Sequence, residues 1–156
     1  MTASAAPRQL SGETIAIVKA TAPALRAHGL AITKRMYERM FLNEEVKAMF
    51  DVAAQESGEQ PQKLATAIIA YAENVDKLQN LTAPVLRMAA RHVEVGVKPE
   101  HYPIVAENLL PAIKDVLGDA ATDEVLGAWG EAYWFLADIL IAKEAGIYAQ
   151  QEAEAA

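Results

Sequence analysis

The sequence predicts an all-α protein of 156 residues. Three observations carry that prediction. Apolar residues recur at helical spacing through most of the chain, and no useful length alternates with period two. Residues that start and stop helices bracket the apolar stripes. The implied helices are unequal, one is very short, and a long polar loop precedes Gln60, which suits an irregular helical fold better than a four-helix bundle.

Residues 1–10 are expected to form a disordered N-terminal extension, because Met1 to Gln9 is small and polar. One domain follows over 11–150. Ser11 caps a first helix with the stripe Ile15, Val18, Ala22 and Leu25. Pro23 lies inside that stripe and predicts a kink or an early end, with Gly29 near the boundary. A second helix runs from about Leu30 to Leu42, with Ile32, Met36, Tyr37, Met40 and Phe41 on its buried side. Asn43-Glu44-Glu45 reads as a cap with acids in the first turn of a short helix ending near Phe50. Asp51 to Glu59 is polar and reads as a mobile loop. A fourth helix starts around Gln60-Pro61 and carries Leu64, Ile68, Tyr71 and Val75.

The next helix spans Thr82 to Val95, with Thr82 as cap, Pro84 in the first turn and Gly96 as the stop. After the turn Lys98-Pro99-Glu100, Pro103 opens a helix with Val105, Leu109, Ile113 and Leu117 inward and Gly118 at its end. Thr122-Asp123-Glu124 caps the last and longest helix, which runs towards Gln150 and leaves 151–156 as a loose tail.

Composition narrows the function. The balance of 53% hydrophobic and 22% charged residues is that of a globular domain with a real core. A formal net charge of −7 argues against nucleic acid or an anionic membrane surface as partner. The absence of cysteine excludes disulfides, thiolate metal sites, iron–sulfur clusters, cysteine catalysis and covalent haem attachment. It fits a cytoplasmic location. No uninterrupted apolar run approaches about 18 residues, so no membrane insertion is expected. No GxGxxG after a strand, Walker A, GxSxG or paired-acid motif occurs, so nothing builds a flavin or nicotinamide site.

Three residues stand out. Val85, Met88, Ala89 and His92 share one helical face, apolar until it ends in an imidazole. A neutral imidazole there can serve as an axial ligand to haem iron, although a packed core histidine is the commoner outcome. His28 and His101 read as structural, at a helix end and a helix start. The face Trp129, Tyr133, Leu136, Leu140 continues to Glu144. A carboxylate on such a stripe either snorkels near the helix end or accepts a histidine N–H. Tyr37 sits on a buried face, where a tyrosine needs at least one partner for its hydroxyl.

Together these positions resemble the bacterial flavohaemoglobin-type globins, in particular the single-domain haemoglobins of the Vitreoscilla kind. The resemblance covers about Gln9 to Gln150. It is carried by Ile17-Val18-Lys19-Ala20-Thr21-Ala22-Pro23, Met36-Tyr37-Glu38-Arg39-Met40-Phe41, Gln55-Glu56-Ser57 with Gln60-Pro61, and Arg91-His92. It continues through Gly96-Val97, His101-Tyr102-Pro103-Ile104-Val105, Val116 to Asp123, Ala128-Trp129-Gly130, Glu144 and Tyr148-Ala149-Gln150.

The resemblance implies a globin fold of about seven helices around haem b (iron protoporphyrin IX). His92 matches the proximal iron ligand. Tyr102 and Glu144 match the polar pair around its imidazole, which pushes electron density to iron and favours O–O activation. Tyr37 matches the tyrosine that donates to bound oxygen, Gln60 the distal glutamine and Leu64 the apolar gate beside it. Phe50 matches the phenylalanine that wedges the haem. Arg91 takes a position near the haem edge where relatives often carry lysine. Val105 and Tyr133 are expected to line the pocket.

The implied activity is binding of O2 and NO, with nitric oxide dioxygenation when electrons are supplied. The alternative is an oxygen carrier serving respiration, and a third reading is a haem-free helical sensor. Full flavohaemoglobins continue into FAD- and NAD-binding domains. This sequence ends at Ala156, so a separate NAD(P)H-dependent reductase is the expected partner. Relatives form homodimers, which the sequence leaves open.

Overall fold

A computed structural model describes residues 10–48, 59–94 and 96–155, and among them are six α-helices and two 3-10 turns. They are α1 (Gly12–Met40), α2 (Glu44–Ala48), α3 (Glu59–Glu73), a 3-10 turn (Leu78–Leu81), α4 (Thr82–Glu94), α5 (His101–Leu117), a second 3-10 turn (Gly118–Ala120) and α6 (Asp123–Ala155). Among the described residues there is no strand, as expected. The expected N-terminal extension falls almost wholly on residues 1–9, outside the described ones. So does the polar loop before α3, except Glu59, which opens that helix.

Local caps account for several helix starts. Ser11 Oγ accepts from the Thr14 N–H at 3.1 Å. Asn43 Oδ1 accepts from Glu45 N–H at 2.9 Å and Val46 N–H at 3.3 Å. Thr122 Oγ1 accepts from Val125 N–H at 3.2 Å. Each satisfies a donor that the first helical turn leaves without an intrahelical partner. Thr82 departs from expectation. It already has helical dihedrals, and its hydroxyl donates back to the Gln79 carbonyl at 3.1 Å.

The expected break near Pro23 and Gly29 does not occur. One helix of 29 residues runs through both. Tertiary contacts hold it across the proline. Ala22 and Leu25 are buried, and Trp129 Nε1 on α6 donates to Thr21 Oγ1 at 2.9 Å. Gly29 is the place where α3 comes close. A Cβ there would meet Ile69 Cδ1 at 3.5 Å and Ala65 Cβ at 3.6 Å, which is ordinary contact. The last helix also outruns expectation, because the segment 151–155 foreseen as a loose tail continues α6.

The helices form two unequal apolar clusters. α1 packs on α3, α5 and α6, and centres the larger one with Val18, Leu25, Ile32, Met36 and Met40. α4 packs on α6 and on the first 3-10 turn, and the smaller cluster holds Ala89, Tyr102, Ala137 and Leu140. Tyr133 and Leu136 of α6 touch both. α3 and α4 have no substantial packing against each other. By length and composition alone α1 and α6 could each span a bilayer, which the sequence reading did not foresee. Here both are core helices of the fold.

Candidate functional site

The stripe on α4 ends as its spacing requires. Ala89 is buried, and Val85, Met88 and His92 are half-buried on the same face. α4 then closes in a Schellman cap. Gly96 N–H donates to Val93 C=O at 3.1 Å and Val97 N–H donates to His92 C=O at 2.9 Å, with Gly96 at φ +81°. His92 is therefore held in the last turn of a helix with a defined end.

Three residues from three helices meet at the imidazole. Glu144 Oε2 of α6 lies 2.8 Å from His92 Nδ1, and Tyr102 Oη of α5 lies 3.0 Å from it. Tyr102 donates its hydroxyl to Glu144, at 2.8 Å to Oε2 and 3.0 Å to Oε1. That commits the phenol's one proton. With Tyr102 and Glu144 both accepting at Nδ1, the partners assign the proton to Nδ1 and leave the lone pair on Nε2. Glu144 is 3% exposed, so the snorkelling alternative does not apply. Burial, and then the hydrogen bond to Glu144, push the Tyr102 phenol far above its ordinary value, which keeps its proton in place.

The supporting residues are ordered in turn. Tyr133 donates to the Tyr102 carbonyl at 2.7 Å and is itself raised by burial. His101 is structural, as expected. Its Nδ1 accepts from the Lys98 backbone N–H at 3.0 Å while the His101 backbone N–H donates to Lys98 C=O at 3.0 Å. His28 is exposed.

The other expected site residues take different places. Tyr37 is buried in the larger cluster, its ring 5.8 Å from that of Phe41. Leu64 of α3 and Val105 of α5 are half-buried against that same cluster. Arg91 is exposed and paired with Glu94 at 3.1 Å, one residue before His92. Gln60 stands in the first turn of α3, but its side chain lies outside the described features. Phe50 lies outside the described residues.

This arrangement can be tested for what it would hold. Among the described residues no group of three or more His, Asp and Glu side chains could grip a metal ion. A metal at His92 Nε2 must therefore bring its own remaining ligands. Beside it on the same face of α4, Met88 and Val85 are apolar and half-buried. One nitrogen ligand at the end of an apolar helix face fits an iron porphyrin and does not fit a bare ion.

The family profile for globins matches residues 34–140. The chain belongs to the globin family. This globin is 50% identical over 147 residues to the flavohemoprotein of Rhizobium meliloti (strain 1021), an alignment covering 94% of this chain and 36% of that protein. It spans about a third of the length of the curated relatives it matches. Among solved structures it superposes with a TM-score of 0.86 and 42% identity on an engineered carbene transferase, a candidate nitric oxide dioxygenase, from Rhodothermus marinus, covering 92% of this chain and 99% of that one. It superposes with a TM-score of 0.82 and 34% identity on a Malassezia yamatoensis flavohemoglobin with bound FAD and heme, covering 92% of this chain and 38% of that one. Haem is the cofactor of this globin, and His92 is the residue whose chemistry fits its iron.

Tyr148 is the site residue that sequence reasoning did not assign. It stands four positions after Glu144 on α6, and its hydroxyl donates to the Val97 carbonyl at 2.7 Å. The signal was that i, i+4 spacing from an acid already singled out.

Proposed function

We propose that this globin binds O2 and NO at ferrous haem held by His92, and turns NO over to nitrate when an external NAD(P)H-dependent reductase supplies electrons. The observation that carries the reading is the Glu144 carboxylate 2.8 Å from His92 Nδ1, backed by Tyr102. Haem, when bound, supplies the iron at which the diatomic ligands bind. The rest is the work of the chain. Glu144 and Tyr102 hold the Nδ1 proton and draw the imidazole towards imidazolate character, which makes Nε2 a stronger donor. Such a donor favours O–O activation over simple storage.

The opposite wall serves the ligand. Tyr37 belongs to the larger cluster, and Leu64 and Val105 pack against it. In this reading Tyr37 donates a hydrogen bond to oxygen as negative charge develops on it, Leu64 excludes water, and Phe50 and Gln60 complete the pocket. Arg91 offers a cation at its rim. The setting is the cytoplasm, where NAD(P)H is at hand.

The test is nitric oxide consumption by the haem-loaded protein with ferredoxin–NADP reductase and NADPH. Sustained loss of NO with nitrate formation over many turnovers is expected. A single stoichiometric burst would replace the reading with that of an oxygen carrier.

A further inference from the structure

α6 grips the histidine segment at two points, and only one of them is the imidazole. Glu144 meets the side chains of His92 and Tyr102, the residues at either end of the turn between α4 and α5. One helical turn later, Tyr148 meets the backbone that joins them. Its hydroxyl donates to Val97 C=O at 2.7 Å, and the Val97 N–H donates to His92 C=O at 2.9 Å. The peptide units on either side of the Val97 Cα are thus tied to α6 and to His92 respectively.

We propose that Tyr148 is a positioning residue for the axial imidazole, acting through the Val97 link. The role rests on haem binding at His92 and adds the element that sets the ligand's direction. Hydrogen bonds at Nδ1 fix the ring relative to α5 and α6 but do not touch the main chain that carries it. The main chain must be held separately, and the Schellman cap alone holds it only to α4. Tyr148 anchors that cap to the same helix that carries Glu144, so ring and backbone move together. Lys98 Nζ lies 4.3 Å from the centre of the Tyr148 ring and covers it, which fixes the phenol's orientation without touching its hydroxyl.

Tyr148→Phe removes the donor and keeps the ring beneath Lys98. In the haem-loaded ferrous protein its iron–histidine stretching band should broaden and fall in frequency. The loosened imidazole donates less, so the ferrous form should gain by about threefold, or about 30 mV for a one-electron couple. In the haem-free protein, exchange of the His92 Nδ1 proton should quicken about fivefold, the equilibrium equivalent of one hydrogen bond. Lys98→Ala, which spares the hydrogen bond, should leave all three near wild type.

Wild-type band, potential and exchange in Tyr148→Phe would overturn the proposal, even if its melting temperature falls. So would changes of equal size in Lys98→Ala, which would make the ring's packing and not its hydroxyl responsible. A wild-type protein with no Soret band would sink the haem reading alone, and the exchange comparison would still decide this one.

Discussion

Glu144 Oε2 stands 2.8 Å from His92 Nδ1 although 52 positions separate the two in sequence. The same carboxylate receives the Tyr102 hydroxyl, so one buried acid organises two donors. Leaving the Tyr102 hydroxyl without it is costly, because that residue is buried. Glu144→Ala should lower unfolding stability by about 3 kcal/mol. Urea unfolding of the haem-free protein measures this. Haem-loaded Glu144→Gln should also shift its reduction potential upward, since a neutral amide draws the Nδ1 proton less strongly.

Tyr37 faces the ligand side in the proposed function. Removing its hydroxyl in Tyr37→Phe should speed oxygen release by about tenfold, as loss of one good hydrogen bond to a partly charged atom would. Stopped-flow displacement of oxygen by carbon monoxide reads the rate. An unchanged rate would count against the role.

Alkaline stability follows from three buried phenols. Burial raises Tyr71 and Tyr133, and burial with Glu144 raises Tyr102, all above the unfolded value of about 10. A raised phenol pKa means that the folded state keeps the proton longer than the unfolded one. The stabilisation is therefore complete below about pH 10 and is lost as pH climbs from there towards the folded values. Phenolate absorbance at 295 nm should lag for these residues until the helical signal collapses. Tyr71→Phe removes one contributor and should flatten the decline, at the cost of the 2.8 Å bond from its hydroxyl to Ala132 C=O.

Gly29 sits in mid-helix with space for a methyl group at ordinary contact distance from Ile69 and Ala65. Alanine is the better helix former by about 1 kcal/mol. Gly29→Ala should raise the thermal midpoint. A fall would show that α3 cannot yield the little room required.

The sequence by itself determined the helical class, most helix ends and the unusual placement of His92 and Glu144 on apolar faces. Ser11, Asn43, Gly96 and Thr122 act on backbone groups within a few residues, so their chemistry is local and readable. The apolar run from Val85 to His92 and the stripe from Trp129 to Glu144 are readable for the same reason, because helical spacing turns a linear pattern into a face. Tertiary structure decided what those faces meet. Pro23 and Gly29 look like a break locally, yet packing of α1 against α3 and α6 outweighs local propensity. The convergence of His92, Tyr102 and Glu144 depends on how α4, α5 and α6 cross, and no spacing within one helix encodes that. The Tyr148 link to Val97 depends on it too, because a backbone carbonyl carries no mark in the sequence of the side chain that will reach it.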